Sequence, residues 1–176
     1  KEALANPELG AALKEAYANV GELLTRLPFK RGATALHRLP LYEQWVLDIL
    51  THGEYDLYWQ QRGYAISHYY EEHADAPTFY LGGWYDSYAR TTCENFKALS
   101  ELKEERQVLL MGPWTHGGWD VTYAGDVDFG TDSFINYNDL RLAWFDHFLK
   151  GLHTEVADWA PVKIFASSPA SGLIRS

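Results

Sequence analysis

Apolar residues recur at helical spacing at Leu9, Leu13, Ala16, Tyr17, Val20, Leu24 and Leu27, the stripe of an amphipathic helix. Asn6-Pro7-Glu8 opens it with a cap, a proline at the first helical position and an acid in the first turn. Pro28 stops it. A second helix is predicted from Pro40 to Leu50, ending near Gly53. Tyr55 to Gln61 and Ile66 to Glu72 also read as helical, and residues 1–76 hold no good strand. At Pro77 the pattern changes. Thr78-Phe79-Tyr80-Leu81 reads as a short strand closed by Gly82-Gly83, then a helix runs from Ser87 or Tyr88 to Lys103 with Ala89, Cys93, Phe96, Ala98 or Leu99 inward. Gln107 to Met111 is almost wholly apolar, as expected of a strand buried on both faces. Strand, helix and strand within about 35 residues make a βαβ unit, hence a parallel pair.

Beyond it, residues 117–137 form a long Gly- and Asp-rich loop, and loops of that length inside compact domains are usually functional or mobile. Asn138 or Asp139 is the expected cap of a further helix with Leu140, Trp144, Phe145, Phe148 and Leu149 inward. Lys150 and Gly151 end it. Pro161 to Ala166 is a last strand. The fold class is therefore α/β, with a helical unit over 1–76, a βαβ-α unit over 77–151 and a tail over 152–176.

Composition narrows the function. Aromatics reach 15% of the 176 residues, with 7 Trp, 12 Tyr and 8 Phe, so general disorder is excluded. The net charge is −9, and both halves share it: 7 basic against 11 acidic residues before Pro77, 8 against 13 from it onward. Such a chain repels phosphate backbones, which argues against a nucleic-acid partner. No apolar run has the length of a membrane span. A single cysteine, Cys93, excludes an internal disulfide and a Cys-rich zinc cluster, and fits a reducing compartment such as the cytoplasm without establishing one. The only methionine is Met111, so residue 1 is not a translation start, and the expectation is a processed chain or a fragment.

In a βαβ unit the carboxyl ends of both strands share one edge, where open α/β sheets place ligands. Asp86 follows the first strand and His116 the second. Neighbouring strands lie about 5 Å apart, so a carboxylate there can hold one imidazole nitrogen and leave the other free as a general base. The plainer alternative makes Asp86 a helix cap and His116 an ordinary loop residue. His116 with Asp120, Asp126, Asp128 and Asp132 could bind a cation through oxygen ligands, but their spacing matches no known cation loop, and a solvated loop is preferred. His68 and His73 share no helix face well and read as surface residues. Cys93, mid-helix and without a basic neighbour, reads as a small buried hydrophobe.

Gly82-Gly83-Trp84-Tyr85-Asp86, then Gly112-Pro113-Trp114-Thr115-His116-Gly117, then Leu140 to Gly151, together resemble the CocE/NonD branch of the X-Pro dipeptidyl-peptidase (S15) family. The resemblance spans roughly residues 40–166, with the first 30 residues matching only as a helical cap. It implies the C-terminal part of an α/β-hydrolase fold preceded by that cap, and a Ser-Asp-His triad in that chain order. Carried over by position, Asp86 orients the histidine and His116 is the base. Tyr88 is the aromatic that lines the acyl pocket, while Trp84 and Trp114 are read as packing. The implied substrate is a small acyl ester or amide, with no cofactor and no metal. The departure is the nucleophile, because none of the eight serines lies in a Gly-x-Ser-x-Gly elbow. The chain thus resembles the middle-to-late part of a longer enzyme and alone is expected to be inactive. Pro161 to Phe165 resembles the first strand of a C-terminal β-sandwich, and Ser167 to Ser176 departs from the family pattern. The alternative class is a non-catalytic binding module. Oligomeric state is not legible.

Overall fold

The computed structural model of the chain describes residues 5–26, 28–166 and 173–175. Leu27 of the first apolar stripe and most of the segment after Ala166 lie outside them. The chain divides into two compact units, Lys1–Ala65 and Ile66–Ser176.

In the first unit, helix α1 (Pro7–Ala18) begins where Asn6 caps it, its side chain accepting the Leu9 N–H at 3.0 Å. The single predicted stripe is broken at Asn19, whose backbone N–H turns back to the Glu15 and Tyr17 carbonyls. A short helix α2 (Val20–Thr25) follows. The asparagine side chain also donates to the Glu15 carbonyl at 3.1 Å, which offers the backbone a local alternative to continuing the helix. Helix α3 (Pro40–Thr51) ends at His52, one residue beyond its predicted end. Its only fully buried side chain is an acid, Glu43. One Glu43 oxygen accepts the Gly32 N–H at 2.6 Å and the other lies 3.5 Å from Arg31 Nη1, so the buried charge is both hydrogen-bonded and paired. Residues 55–61 are hydrogen-bonded turns and not a helix. Asp56 accepts the Tyr58 N–H on one carboxylate oxygen and meets His52 Nδ1 with the other.

The second unit opens with two single 3₁₀ turns, Ile66–His68 and Tyr70–Glu72, where a helix was predicted. Its main sheet has four strands. Strand β1 spans Thr78–Tyr85 and β2 spans Gln107–Thr115, paired in parallel from Thr78 opposite Gln107 to Gly83 opposite Gly112. The sequence reading closed the first strand at Gly82-Gly83, yet both glycines lie inside it. A Cβ on Gly83 would fall 2.1 Å from the Trp114 carbonyl oxygen, and one on Gly82 would fall 2.6 Å from the Met111 sulfur. They are there for close approach of two strands, not for a turn.

Helix α4 (Ala89–Leu102) makes the crossover. Consecutive residues of β1 face opposite layers: Tyr80 meets Phe96 of α4, and Phe79 meets Trp144. Trp144 belongs to helix α5 (Tyr137–Lys150), so helices cover both faces of the parallel pair and β2 is buried from Gln107 to Trp114. The core gathers Val108, Trp144 and Val156, with Phe79, Ala143, Phe148 and Trp159 packed against them. Two expectations about α5 fail. Its cap is Asn136, which accepts the Asp139 N–H and returns an N–H to the Asp139 carboxylate at 2.6 Å. Phe145 and Leu149 point outward, Leu149 at 77% exposure, while Ala143 and His147 take the half-buried positions beside Trp144 and Phe148.

Gly151 closes α5 in the left-handed conformation at φ 68°. The long loop holds a small hairpin, β3 (Tyr123–Ala124) and β4 (Val127–Asp128), turned at Gly125 with φ 59°. Strand β5 (Val162–Ala166) departs from the expected start of a sandwich. It pairs in parallel with β2, from Leu109 opposite Val162 to Met111 opposite Ile164, and so extends the same sheet. Strand β6 (Leu173–Arg175) adds an antiparallel edge.

Candidate active site

Both residues singled out by their place after parallel strands lie at one edge of the sheet, and they meet. Asp86 Oδ2 accepts from His116 Nδ1 at 3.0 Å. The other carboxylate oxygen, Oδ1, accepts the Tyr88 N–H at 2.8 Å in the turn that leads into α4. Asp86 is not the helix cap of the plainer alternative, since Tyr88 holds that position without a side-chain cap bond; its two oxygens divide between the turn before the helix and His116. The Asp86 side chain is 11% exposed and that of His116 is 74% exposed.

The local backbone explains how His116 is presented. The Gly118 N–H donates to the Thr115 carbonyl at 3.0 Å, closing a four-residue turn. His116 occupies its second position and Gly117 its third, where φ is 78°. A type II turn needs that positive φ, which glycine adopts freely. With Nδ1 turned to the carboxylate, Nε2 has no hydrogen-bond partner among the described residues. An imidazole facing an ionised acceptor must donate from Nδ1, so Nε2 carries the lone pair of a base.

The Tyr88 N–H holds the Asp86 carboxyl below its ordinary range. Partial burial works against this, and the hydrogen bond from His116 adds to it. None of the described serines bonds to His116. The Tyr88 ring lies 5.4 Å from the His116 ring, and its outer face is exposed. The acidic loop gathers no ligand set. Asp128 is spent on the Gly130 N–H at 2.9 Å, which holds its carboxyl below the ordinary range, and among the described residues no three His, Cys, Asp or Glu side chains converge as metal ligands. Cys93 is half-buried, and burial pushes its thiol upward. His73 bonds the neighbouring Ala74 carbonyl.

Two contacts escaped the sequence reading. Trp114, 2% exposed, donates its indole N–H to the Ser133 carbonyl at 2.6 Å. Trp84 donates to the Phe165 carbonyl at 3.3 Å. The signal was present in part, since a buried indole N–H needs an acceptor. Its partner, a backbone carbonyl far along the chain, leaves no mark in sequence.

A sheet with a parallel core covered by helices, carrying an acid–imidazole pair at the carboxyl ends of adjacent strands, is compatible with an α/β fold. Residues 8–118 match the family model of the X-Pro dipeptidyl-peptidase (S15) family, and the chain belongs to that family. The match covers both Asp86 and His116 and reaches further toward the start than the quoted motifs do. The family is one of serine hydrolases, which places the chain in the hydrolase class at that coarse level. Comparison with curated proteins yields no match. Among the described residues no helix is long and apolar enough to cross a membrane.

Proposed function

We propose that Asp86 and His116 are the acid and base of a Ser-Asp-His triad, in a hydrolase of the CocE/NonD type that cleaves an ester or amide through an acyl-enzyme. The observation that carries this reading is the 3.0 Å bond from His116 Nδ1 to Asp86 at the carboxyl ends of β1 and β2, with Nε2 left open. In this reading His116 Nε2 takes the proton of the serine hydroxyl as its oxygen attacks the substrate carbonyl. Asp86 stabilises the imidazolium that forms, and the proton then passes to the leaving alcohol or amine. A water repeats the cycle on the acyl-enzyme and frees the acid. Tyr88, beside the imidazole, lines the acyl pocket. In this reading the nucleophile is a serine in a Gly-x-Ser-x-Gly elbow, a motif that these 176 residues do not contain.

A fluorophosphonate probe and a simple aryl ester test this. The 176 residues alone should show no labelled serine and no turnover. A polypeptide carrying them together with a Gly-x-Ser-x-Gly elbow should be labelled at that serine. There His116→Ala should lower kcat by about 10⁶-fold and Asp86→Asn by about 10⁴-fold, the losses measured in comparable triads. Near-normal turnover in either variant would refute the assignment. Absence of labelling even with the elbow present would favour a binding module.

A further inference from the structure

Each residue of the acid–imidazole pair is preceded, two positions earlier, by a tryptophan whose indole N–H is anchored to a backbone carbonyl far along the chain. Trp84 precedes Asp86 and reaches Phe165 of β5, 81 residues on. Trp114 precedes His116 and reaches Ser133, 19 residues on. The acceptors are themselves fixed. Phe165 is buried in a strand paired through the sheet. Ser133 is wholly buried, and its hydroxyl donates to the Gly130 carbonyl at 2.7 Å, which holds the turn that aims its own carbonyl. On the other side, the Trp114 ring lies back over Gly112, where an added Cβ would sit 2.3 Å from it. The ring is thus gripped between its own strand and the loop.

We propose that Trp84 and Trp114 are positioning residues for the Asp86–His116 pair, each tethering its neighbour's loop to a distant carbonyl through the indole N–H. This rests on Asp86 and His116 being the acid and base. Both side chains follow the last pair of the ladder, Tyr85 opposite Thr115, and the register shifts between Gly83 and Tyr85, where Trp84 sits. A drift of about 1 Å is enough to break a 3.0 Å hydrogen bond, and misplacement on that scale is costly in catalysis. The bond selects the Nδ1–H form of the neutral imidazole, so the tautomer of His116 reports the geometry directly. A tryptophan that only filled space would leave that tautomer unchanged when its N–H is removed and its outline kept.

The test replaces each indole with the benzothiophene of 3-benzothienylalanine, which keeps the bicyclic shape and puts sulfur in place of the N–H. The His116 tautomer is read from long-range ¹H–¹⁵N correlations of the ring, assigned with His116→Ala, and far-ultraviolet circular dichroism serves as the fold control. The native chain should hold His116 in the Nδ1–H form. The substitution at 114 should lose that preference. The one at 84 should lose a smaller part of it, because its bond is longer, 3.3 Å against 2.6 Å, and its ring is half exposed. An unchanged tautomer in a folded 114 variant overturns the proposal for Trp114, and an unchanged one at 84 overturns it for Trp84. Should the buried 114 variant not fold, the variant at 84 decides alone. A lost tautomer preference alongside an inactive elbow-bearing polypeptide would refute the triad and leave the tethers standing.

Discussion

Asp86 carries two hydrogen bonds on two oxygens, and the stronger influence on its acidity is a backbone amide. That has a consequence for pH. Its carboxyl is held below the value of about 3.9 that it takes in an unfolded chain. A carboxyl lowered by folding binds fewer protons in the native state, so its contribution to stability is full above the unfolded value. It is lost as pH falls through the lower native one. Urea unfolding of Asp86→Asn should therefore show a lower midpoint than the native chain at pH 7, and the gap should close below about pH 4. A gap of the same size at pH 3 and pH 7 would place the effect in packing and not in charge. Gly117 works beside it through conformation alone, its positive φ setting the turn on which His116 stands.

Among the elements, the β1–β2 pair is the one that places both site residues, and its closeness depends on glycine. Adding a methyl at Gly83 drives it into the Trp114 backbone, which cannot swing away as a side chain could. Gly83→Ala should cost about 1–3 kcal/mol, the range for overpacking, read as a lower urea midpoint with little change in m. An unaltered midpoint would mean that the strands part freely there. The same glycines mark where the sequence could and could not be read. The βαβ unit was legible because strand and helix periods differ sharply and because β2 is apolar throughout, and those facts alone brought Asp86 and His116 to one edge. Gly82-Gly83 reads as the close of a strand because sequence gives the absence of a side chain but not its reason. The break at Asn19 and the cap at Asn136 turn on side-chain hydrogen bonds of one residue, which compete closely with the helix. On α5 the apolar positions surround the helix too widely for the pattern to choose a face, so Phe145 and Leu149 were placed inward. The partner of β5 could not be foreseen either, since an apolar run says that a strand forms and not which sheet receives it.

Over the whole molecule the acidic balance of −9 is spread through the chain, and among the described residues it builds no ligand set. Calorimetric titration with calcium, magnesium and zinc should show no specific binding tighter than roughly millimolar, the weak end of calcium modules. Micromolar binding would restore a role for the loop between Asp120 and Asp132. The topology of the sheet bears on the order in which the molecule can assemble. Joining β1 to β2 closes a span of 29 residues between Thr78 and Gln107, whereas joining β2 to β5 closes 53 between Leu109 and Val162. By loop-closure entropy the longer span costs about 0.5 kcal/mol more. During synthesis at about 5–20 residues per second, His116 emerges within a few seconds of Asp86, and their strands are free to pair while β5 is still unmade. The acid and the imidazole thus come together in the shortest long-range closure of the sheet, and the tie from Trp84 to Phe165 can be fastened only afterwards, when the last parallel strand arrives.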